Sequence, residues 1–266
     1  MDRMDRATLL SRIGAVIAAM GEDGFAPALT SLLQGVAPYT YTVVFGYGGA
    51  ARPLDLYDDF PAAKRRIFVS DYQEGPYLLD PFYLAATRPV PAGLYRIRDL
   101  APDRFYQGEY FRNYYVQTGL AEEIGFFVDF PQGATVILSL MRDERPFQNR
   151  EMKALAELRP VVEAAIRRHW ADLPARFDQS SQTRQGSAIE SQLDRSFHSF
   201  GDGLLTARER EIVEHTLKGH SAEAVGRILG ISPGTVRIHR RNIYAKLRIS
   251  SQGELFSRFI KTLGRI

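Results

Sequence analysis

The chain opens on apolar positions at helical spacing. Leu9, Leu10, Ile13, Ile17 and Met20 predict a first helix, and Pro27–Val36 predicts a second. Tyr39–Tyr47 (YTYTVVFGY) concentrates β-branched and aromatic residues and reads as a strand. Helical patterns follow at Ala62–Val69 and Asp80–Thr87, a short strand at Gly93–Ile97, and a helix at Asp103–Gln117. Glu123–Phe130 and Ala134–Met141 flank Pro131-Gln132-Gly133 and predict a β-hairpin. From Gln148 to His169 the positions Met152, Leu155, Leu158, Val162 and Ile166 mark the buried stripe of one long amphipathic helix. The first 170 residues therefore predict a mixed α/β domain, long enough to bury a core.

The pattern then fades. Asp178–Gln192 (DQSSQTRQGSAIESQ) is Ser/Gln-rich and nearly free of apolar residues, so it cannot bury enough surface to offset its ordering entropy. A linker is expected from 171 to 203. Residues 204–266 then read as all helical. Thr206 and Glu209 form a capping box, with Ile212, Val213 and Leu217 following on one face. Gly219 stops that helix, Ser221 caps the next, and Gly230 ends it. Ser232-Pro233 is a cap followed by proline at the first helical position, and Ser251 to Glu254 is a second capping box. That last box opens a helix whose apolar stripe, Leu255 to Leu263, could serve a dimer contact or packing within the module.

Charge sharpens the picture. From Leu204 onward there are 12 Lys/Arg against 5 Asp/Glu, whereas the preceding residues carry 22 against 26. A small basic module on a mildly acidic body points to a polyanion partner for the module alone. On a helical wheel Val236, Ile243 and Leu247 define the buried side of the third helix. Arg237, Ile238, Arg241, Asn242 and Ala245 lie opposite. Arginine can fork onto guanine, asparagine can pair with adenine, and isoleucine can touch a thymine methyl. Arg240 and Lys246 flank that face and could reach phosphates, as could the helix start near Thr235.

Other chemistries are narrowed. With no cysteine there is no disulfide scaffold, thiolate zinc site or cysteine nucleophile, and no histidine precedes His169. No catalytic, metal or cofactor site is expected, although carboxylate pairs such as Glu122-Glu123 stay formally open to an enzyme. No apolar run approaches the ~18–20 residues that span a bilayer, and the N-terminus lacks a signal-peptide core, so a cytoplasmic protein is expected.

Two short helices joined by a tight glycine-containing turn form a helix-turn-helix pattern. The stretch from Leu204 to Phe259 closely resembles the LuxR-type helix-turn-helix, shared with NarL/FixJ response regulators. It carries Leu205-Thr206, Arg208-Glu209, Gly219, Ser221, Leu229-Gly230-Ile231-Ser232, Thr235-Val236, His239, Asn242-Ile243, Lys246-Leu247 and Glu254-Leu255. Ala224-Val225 and Gln252-Gly253 depart from the usual residues, away from the outward face. The resemblance implies dimeric binding to double-stranded DNA through Ser221, Thr235, Arg237, Ile238, Arg240, Arg241, Asn242 and Lys246.

The first domain lacks the early acidic pair of a phosphorylated receiver, which Asp58-Asp59 alone does not supply. It resembles instead the autoinducer-binding domain of quorum-sensing regulators. Tyr77-x-x-Asp80-Pro81 is similar to the family's aspartate-proline, and Thr118-Gly119-Leu120 through Leu138-Ser139-Leu140 to its strand-turn-strand course. The resemblance implies ligand contacts at Asp80 and Ser139, with an aromatic at Tyr95. Tyr41 and Tyr83, apolar rings with a polar handle, complete the candidate set. The family's tyrosine and tryptophan, about seventeen and thirteen residues before the aspartate, correspond to Ala63 and Ile67. That implies a solo receptor for a small molecule of unknown identity rather than a standard acyl-homoserine lactone receptor.

The expected fold class is thus two domains. Residues 1–170 form an α/β sensor, an α-β-α sandwich with a GAF/PAS-like sheet and helices on both faces. Residues 204–266 form an all-α, four-helix helix-turn-helix domain. The expected function is ligand-controlled transcription regulation by a homodimer on a pseudo-palindromic site. The alternative is a ligand-independent regulator whose first domain binds a protein partner or only dimerises.

Overall fold

The computed structural model describes residues 5–49, 51–87, 90–112, 116, 119–182, 197 and 199–263. The chain divides into two compact units. One comprises Met1–Arg65, Ala85–Asp99 and Leu120–Ser187; the other comprises Arg66–Leu84, Leu100–Gly119 and Ala188–Ile266.

The first unit is built on a five-stranded antiparallel sheet. Its strands are β1 (Tyr41–Gly48), β2 (Leu54–Asp58), β3 (Gly93–Arg96), β4 (Glu122–Asp129) and β5 (Ala134–Arg142), in the order β2-β1-β5-β4-β3. The β4–β5 hairpin closes through the 3-10 turn Pro131–Gly133, as the sequence predicts. Alternation along the strands gives the sheet two faces. Val44, Phe126, Val136, Leu138 and Leu140 look one way, into a core shared with helices α1 (Arg6–Ala18) and α2 (Phe25–Val36). Asp5 caps α1 by accepting the Thr8 N–H at 3.0 Å.

Three departures from the sequence reading have local causes. The helix expected over Gln148–His169 is two: α6 (Asn149–Glu157) and α7 (Arg159–His169), which meet at Leu158. Pro160 sits in the first turn of α7, where its missing N–H costs no hydrogen bond; inside a continuous helix it would remove one. The helix expected over Asp103–Gln117 is borne out only in part: the described residues hold the short 3-10 turn Phe105–Gln107 and a separate helical turn over 109–112, where the Arg112 N–H donates to the Gly108 carbonyl at 3.1 Å; 113–115, 117 and 118 lie outside them. Strand β2 has no sequence signal of its own and is defined by pairing with β1, with a bulge between Val44 and Phe45.

Helix α8 (Leu173–Gln182) lies wholly within the stretch read as linker, 171–203. Its Leu173 and Phe177 are buried in the sheet core. Gly48 on β1 makes room for the Phe177 ring, since a Cβ there would lie 2.5 Å from the ring carbons. Residues 183–196 of the expected linker lie outside the described residues. In chain order the remaining short helices of the N-terminal half are α3 (Ala62–Arg65), α4 (Pro81–Ala86) and α5 (Ile97–Leu100).

The C-terminal helices are α9 (Ala207–Leu217), α10 (Ala222–Leu229), α11 (Pro233–Leu247) and α12 (Gln252–Leu263). Most of the capping grammar is realised; at Ser251–Glu254 half of the box forms, with the Glu254 N–H donating to Ser251 Oγ at 3.2 Å while the Glu254 carboxylate accepts from the Ser250 N–H and hydroxyl. Thr206 and Glu209 close a reciprocal box on α9, Ser221 caps α10 through Ala224 N–H, and Ser232 caps α11 through Thr235 N–H. Gly230 ends α10 at φ +67°. The stripe on α12 packs inward: Leu255, Phe256 and Phe259 are buried, and Phe259 stacks on Phe197 at 4.5 Å. Among the described residues no helix is long and apolar enough to cross a membrane.

Candidate functional site

Helix α11 stands on its neighbours through Val236, Ile243 and Leu247, all at most 1% exposed. The turn feeding it is tight. A Cβ on Gly226 would lie 2.7 Å from the Ile231 carbonyl, so only glycine lets α10 approach the turn backbone this closely. With the apolar side fixed, Arg237, Ile238, Arg241 and Asn242 are all exposed on the other. Ile238 is 53% exposed, a large apolar side chain left facing water.

The polar residues of this face differ in their commitments. The side chains of Arg241 and Asn242 make no hydrogen bond among the described residues. Arg237 donates from Nη2 to a carboxylate oxygen of Glu223, on the first turn of α10. Arg240 donates to Gln252 Oε1 at 2.8 Å, and the Lys246 ammonium lies 2.7 Å from Glu209 Oε2. Burial works against the Glu209 carboxylate, but hydrogen bonds from Lys246 and Thr206 outweigh it and hold its pKa below the usual range. The Thr235 and Ser232 hydroxyls lie 2.8 Å apart at the start of α11. Ser221 is buried, its N–H donates to the Asp103 carboxylate at 3.0 Å, and the Arg104 N–H donates to the Gly219 carbonyl at 3.0 Å. From the sequence Glu209 reads only as a capping residue and Gln252 only as a departure from the family pattern, and neither these two nor Glu223 is read as a partner of α11. Each reaches α11 from another helix, so no spacing along the chain reveals the pair.

In the first unit the sheet face opposite the α1–α2 core carries three of the expected ligand residues. Register places Tyr95, Gly125, Ser139 and Val43 in one row across four strands. Gly125 contributes no side chain between Tyr95 and Ser139. Ser139 is 4% exposed, and its hydroxyl makes no hydrogen bond among the described residues. Tyr95 donates its hydroxyl to the Pro91 carbonyl at 2.8 Å and sets its ring against Phe127. Tyr41 lies on the same face, with Lys64 5.1 Å above its ring.

Asp80 and Tyr83 belong to the second unit. Asp80 both caps α4 and does more. One carboxylate oxygen accepts the Phe82 N–H at 2.9 Å, and the other accepts the Tyr72 hydroxyl at 2.6 Å. Desolvation pushes its pKa up to about 6, against the lowering effect of those two hydrogen bonds. Tyr83 is buried, its ring edge-on to Tyr77 at 4.9 Å.

The carboxylates left open to an enzyme are parted by the strand. Glu122 and Glu123 are successive residues of β4, so they face opposite sides of the sheet. Glu122 is bound by Arg96 at 2.6 and 2.7 Å and by the Phe147 N–H at 2.6 Å. Asp58 and Asp59 are likewise engaged, with Arg65 and the Thr42 N–H respectively.

The family model for bacterial regulatory proteins of the luxR family matches residues 203–259. A putative HTH-type transcriptional regulator of Aeromonas salmonicida is 34% identical over 186 residues, covering 69% of this chain and 94% of that protein. The monoamine regulon transcriptional regulator of Klebsiella aerogenes is 30% identical over 152 residues, 56% of this chain and 54% of that protein. Among solved structures, the LBD domain of VqsR from Pseudomonas aeruginosa shares the fold of the N-terminal part. Its TM-score is 0.54 at 24% identity, over 61% of this chain and 96% of that one.

Proposed function

The chain belongs to the LuxR family of helix-turn-helix transcriptional regulators, and on that footing we propose that a small molecule held by its N-terminal domain controls DNA binding by a homodimer. The observation that carries the DNA half is the split of α11: Val236, Ile243 and Leu247 are buried, while Arg237, Ile238, Arg241 and Asn242 face outward. Two such helices related by a two-fold axis read half-sites about 10 bp apart, a pseudo-palindrome. Arg240, Lys246 and Thr235 orient the module on the backbone, whereas Ser221, expected from the sequence to join them, is buried, with its N–H given to Asp103 and its hydroxyl capping α10.

Within the first unit the ligand half draws on Ser139, 4% exposed and without a side-chain hydrogen bond among the described residues; the desolvated Asp80 carboxylate of the second unit is a separate candidate contact. A hydroxyl not committed to a protein partner is free to donate to, or accept from, a ligand. A ligand N–H given to Asp80 favours its charged form. The sequence departures at Ala63 and Ile67 favour a ligand other than a standard acyl-homoserine lactone. The bound molecule shifts the N-terminal domain between arrangements and so the spacing of the two reading helices.

A second reading is a ligand-independent regulator whose N-terminal domain binds protein or only dimerises. Leu10 and Ile17, 57% and 58% exposed at two-turn spacing on α1, favour it. Native mass spectrometry of freshly purified full-length protein separates the two. A dimer with excess small-molecule mass, lost on denaturation, supports the sensor and supplies its ligand for identification. A dimer without excess mass that also takes up none from a bacterial extract favours the second reading. A monomer that stays monomeric on duplex DNA refutes the dimer.

A further inference from the structure

Among the described residues, the pair between Arg237 and Glu223 is the one link from the outward face of α11 to an exposed carboxylate. Between Glu223 and Glu254 the chain has six Lys/Arg and no acid, so Glu223 is a lone negative charge beside a cationic surface. A carboxylate there repels the phosphates of any duplex and weakens binding to every sequence alike. A long exposed arginine without a tether samples many rotamers and can settle on whichever phosphate is near. Held by Nη2, it keeps its remaining N–H groups together for a base edge, and two parallel N–H groups match guanine O6 and N7.

We propose that Glu223 is a positioning residue that sets base discrimination by Arg237, at the expense of affinity for DNA in general. The inference rests on the DNA-reading role proposed above for α11. It assigns to α10 a part in sequence choice without direct contact between Glu223 and a base. Weakening all DNA while restraining one reading side chain is a way to raise a ratio of affinities rather than an affinity.

The test is selection from a random duplex pool by the full-length protein, with sequencing of the enriched DNA. Wild type, Glu223→Gln, Arg237→Ala and the double variant are compared, with binding to unselected duplex measured alongside. Arg237→Ala flattens the preference at one base pair of each half-site. Glu223→Gln flattens that same base pair by about tenfold, the order expected for a bidentate arginine contact. It leaves the other positions as they were and tightens binding to unselected duplex. The double variant is no flatter than Arg237→Ala alone. An unchanged consensus for Glu223→Gln overturns the proposal, and so does an even loss of preference at all positions. A wild-type pool with no enriched base pair overturns the DNA-reading role itself, and the inference falls with it.

Discussion

Replacing Asp80 by asparagine is expected to stabilise this protein at neutral pH while weakening its response to ligand. The Asp80 carboxyl is desolvated, and its pKa stands at about 6 against an ordinary value of 3.8. A raised folded-state pKa means that the charged form is disfavoured by folding. The penalty is absent below pH 3.8, grows as pH rises, and is complete above about 6. At 1.36 kcal/mol per pH unit, the shift corresponds to about 3 kcal/mol at pH 7 and about 1 kcal/mol at pH 4.5. An amide carries no charge, yet it can keep both contacts. Its oxygen accepts the Phe82 N–H, and its NH2 donates to the Tyr72 oxygen. Urea unfolding of wild type and Asp80→Asn at the two pH values measures the difference. The variant should gain about 3 kcal/mol at pH 7 and roughly a third of that at pH 4.5. A variant no more stable than wild type at pH 7, or a gain equal at both pH values, refutes the reasoning. A ligand that donates an N–H to Asp80 should shrink the pH dependence of the wild type, because it restores what desolvation removed.

Arg241→Ala should cost about 1–3 kcal/mol on a selected site and far less on unrelated duplex; equal losses on both in a binding titration would remove it from base readout. Lys246→Ala should weaken binding evenly and flatten the salt slope by about one. Because it also strips Glu209 of its cation, its thermal midpoint should fall, and an unchanged midpoint would show that the pair does not support the fold. Gly226→Ala drives a methyl to within 2.7 Å of the Ile231 carbonyl and should destabilise the module by about 1–3 kcal/mol in denaturant unfolding. Glu151 is pressed upward by burial, yet hydrogen bonds from Arg145 and Arg142 outweigh this and hold its pKa at about 2. Its stabilising contribution is whole above pH 4.5 and lost as pH falls through about 2. Acid titration of Glu151→Gln should therefore show a shallower loss of stability below pH 4.5 than wild type.

The local grammar of the C-terminal module was legible in the chain because each cap acts within three or four residues. Thr206, Ser221, Ser232 and Gly230 hold the helix ends that their types and spacing indicate. The buried side of α11 was legible for a similar reason, since a helix turns by a fixed angle per residue. The same rule overreached at Gln148–His169, where the apolar stripe runs on across a proline that the backbone could not carry inside one helix. At Asp103–Gln117 it ran separate elements together, since the described residues hold a 3-10 turn at Phe105–Gln107 and a distinct helical turn at 109–112.

The sequence by itself determined the family, the strands of the hairpin, and which side of α11 meets water. These follow from short-range geometry and from the hydrophobic period. Only the tertiary structure decided the rest. It paired Arg237 with Glu223, Arg240 with Gln252 and Lys246 with Glu209, leaving the side chains of Arg241 and Asn242 without a hydrogen bond among the described residues. It set Tyr95, Ser139 and Val43 in one row, which depends on the register of strands far apart in the chain. It desolvated Asp80 and so moved its pKa, a property of surroundings rather than of the residue. Contacts between distant segments arise from packing, and packing leaves no period along the chain from which to read them.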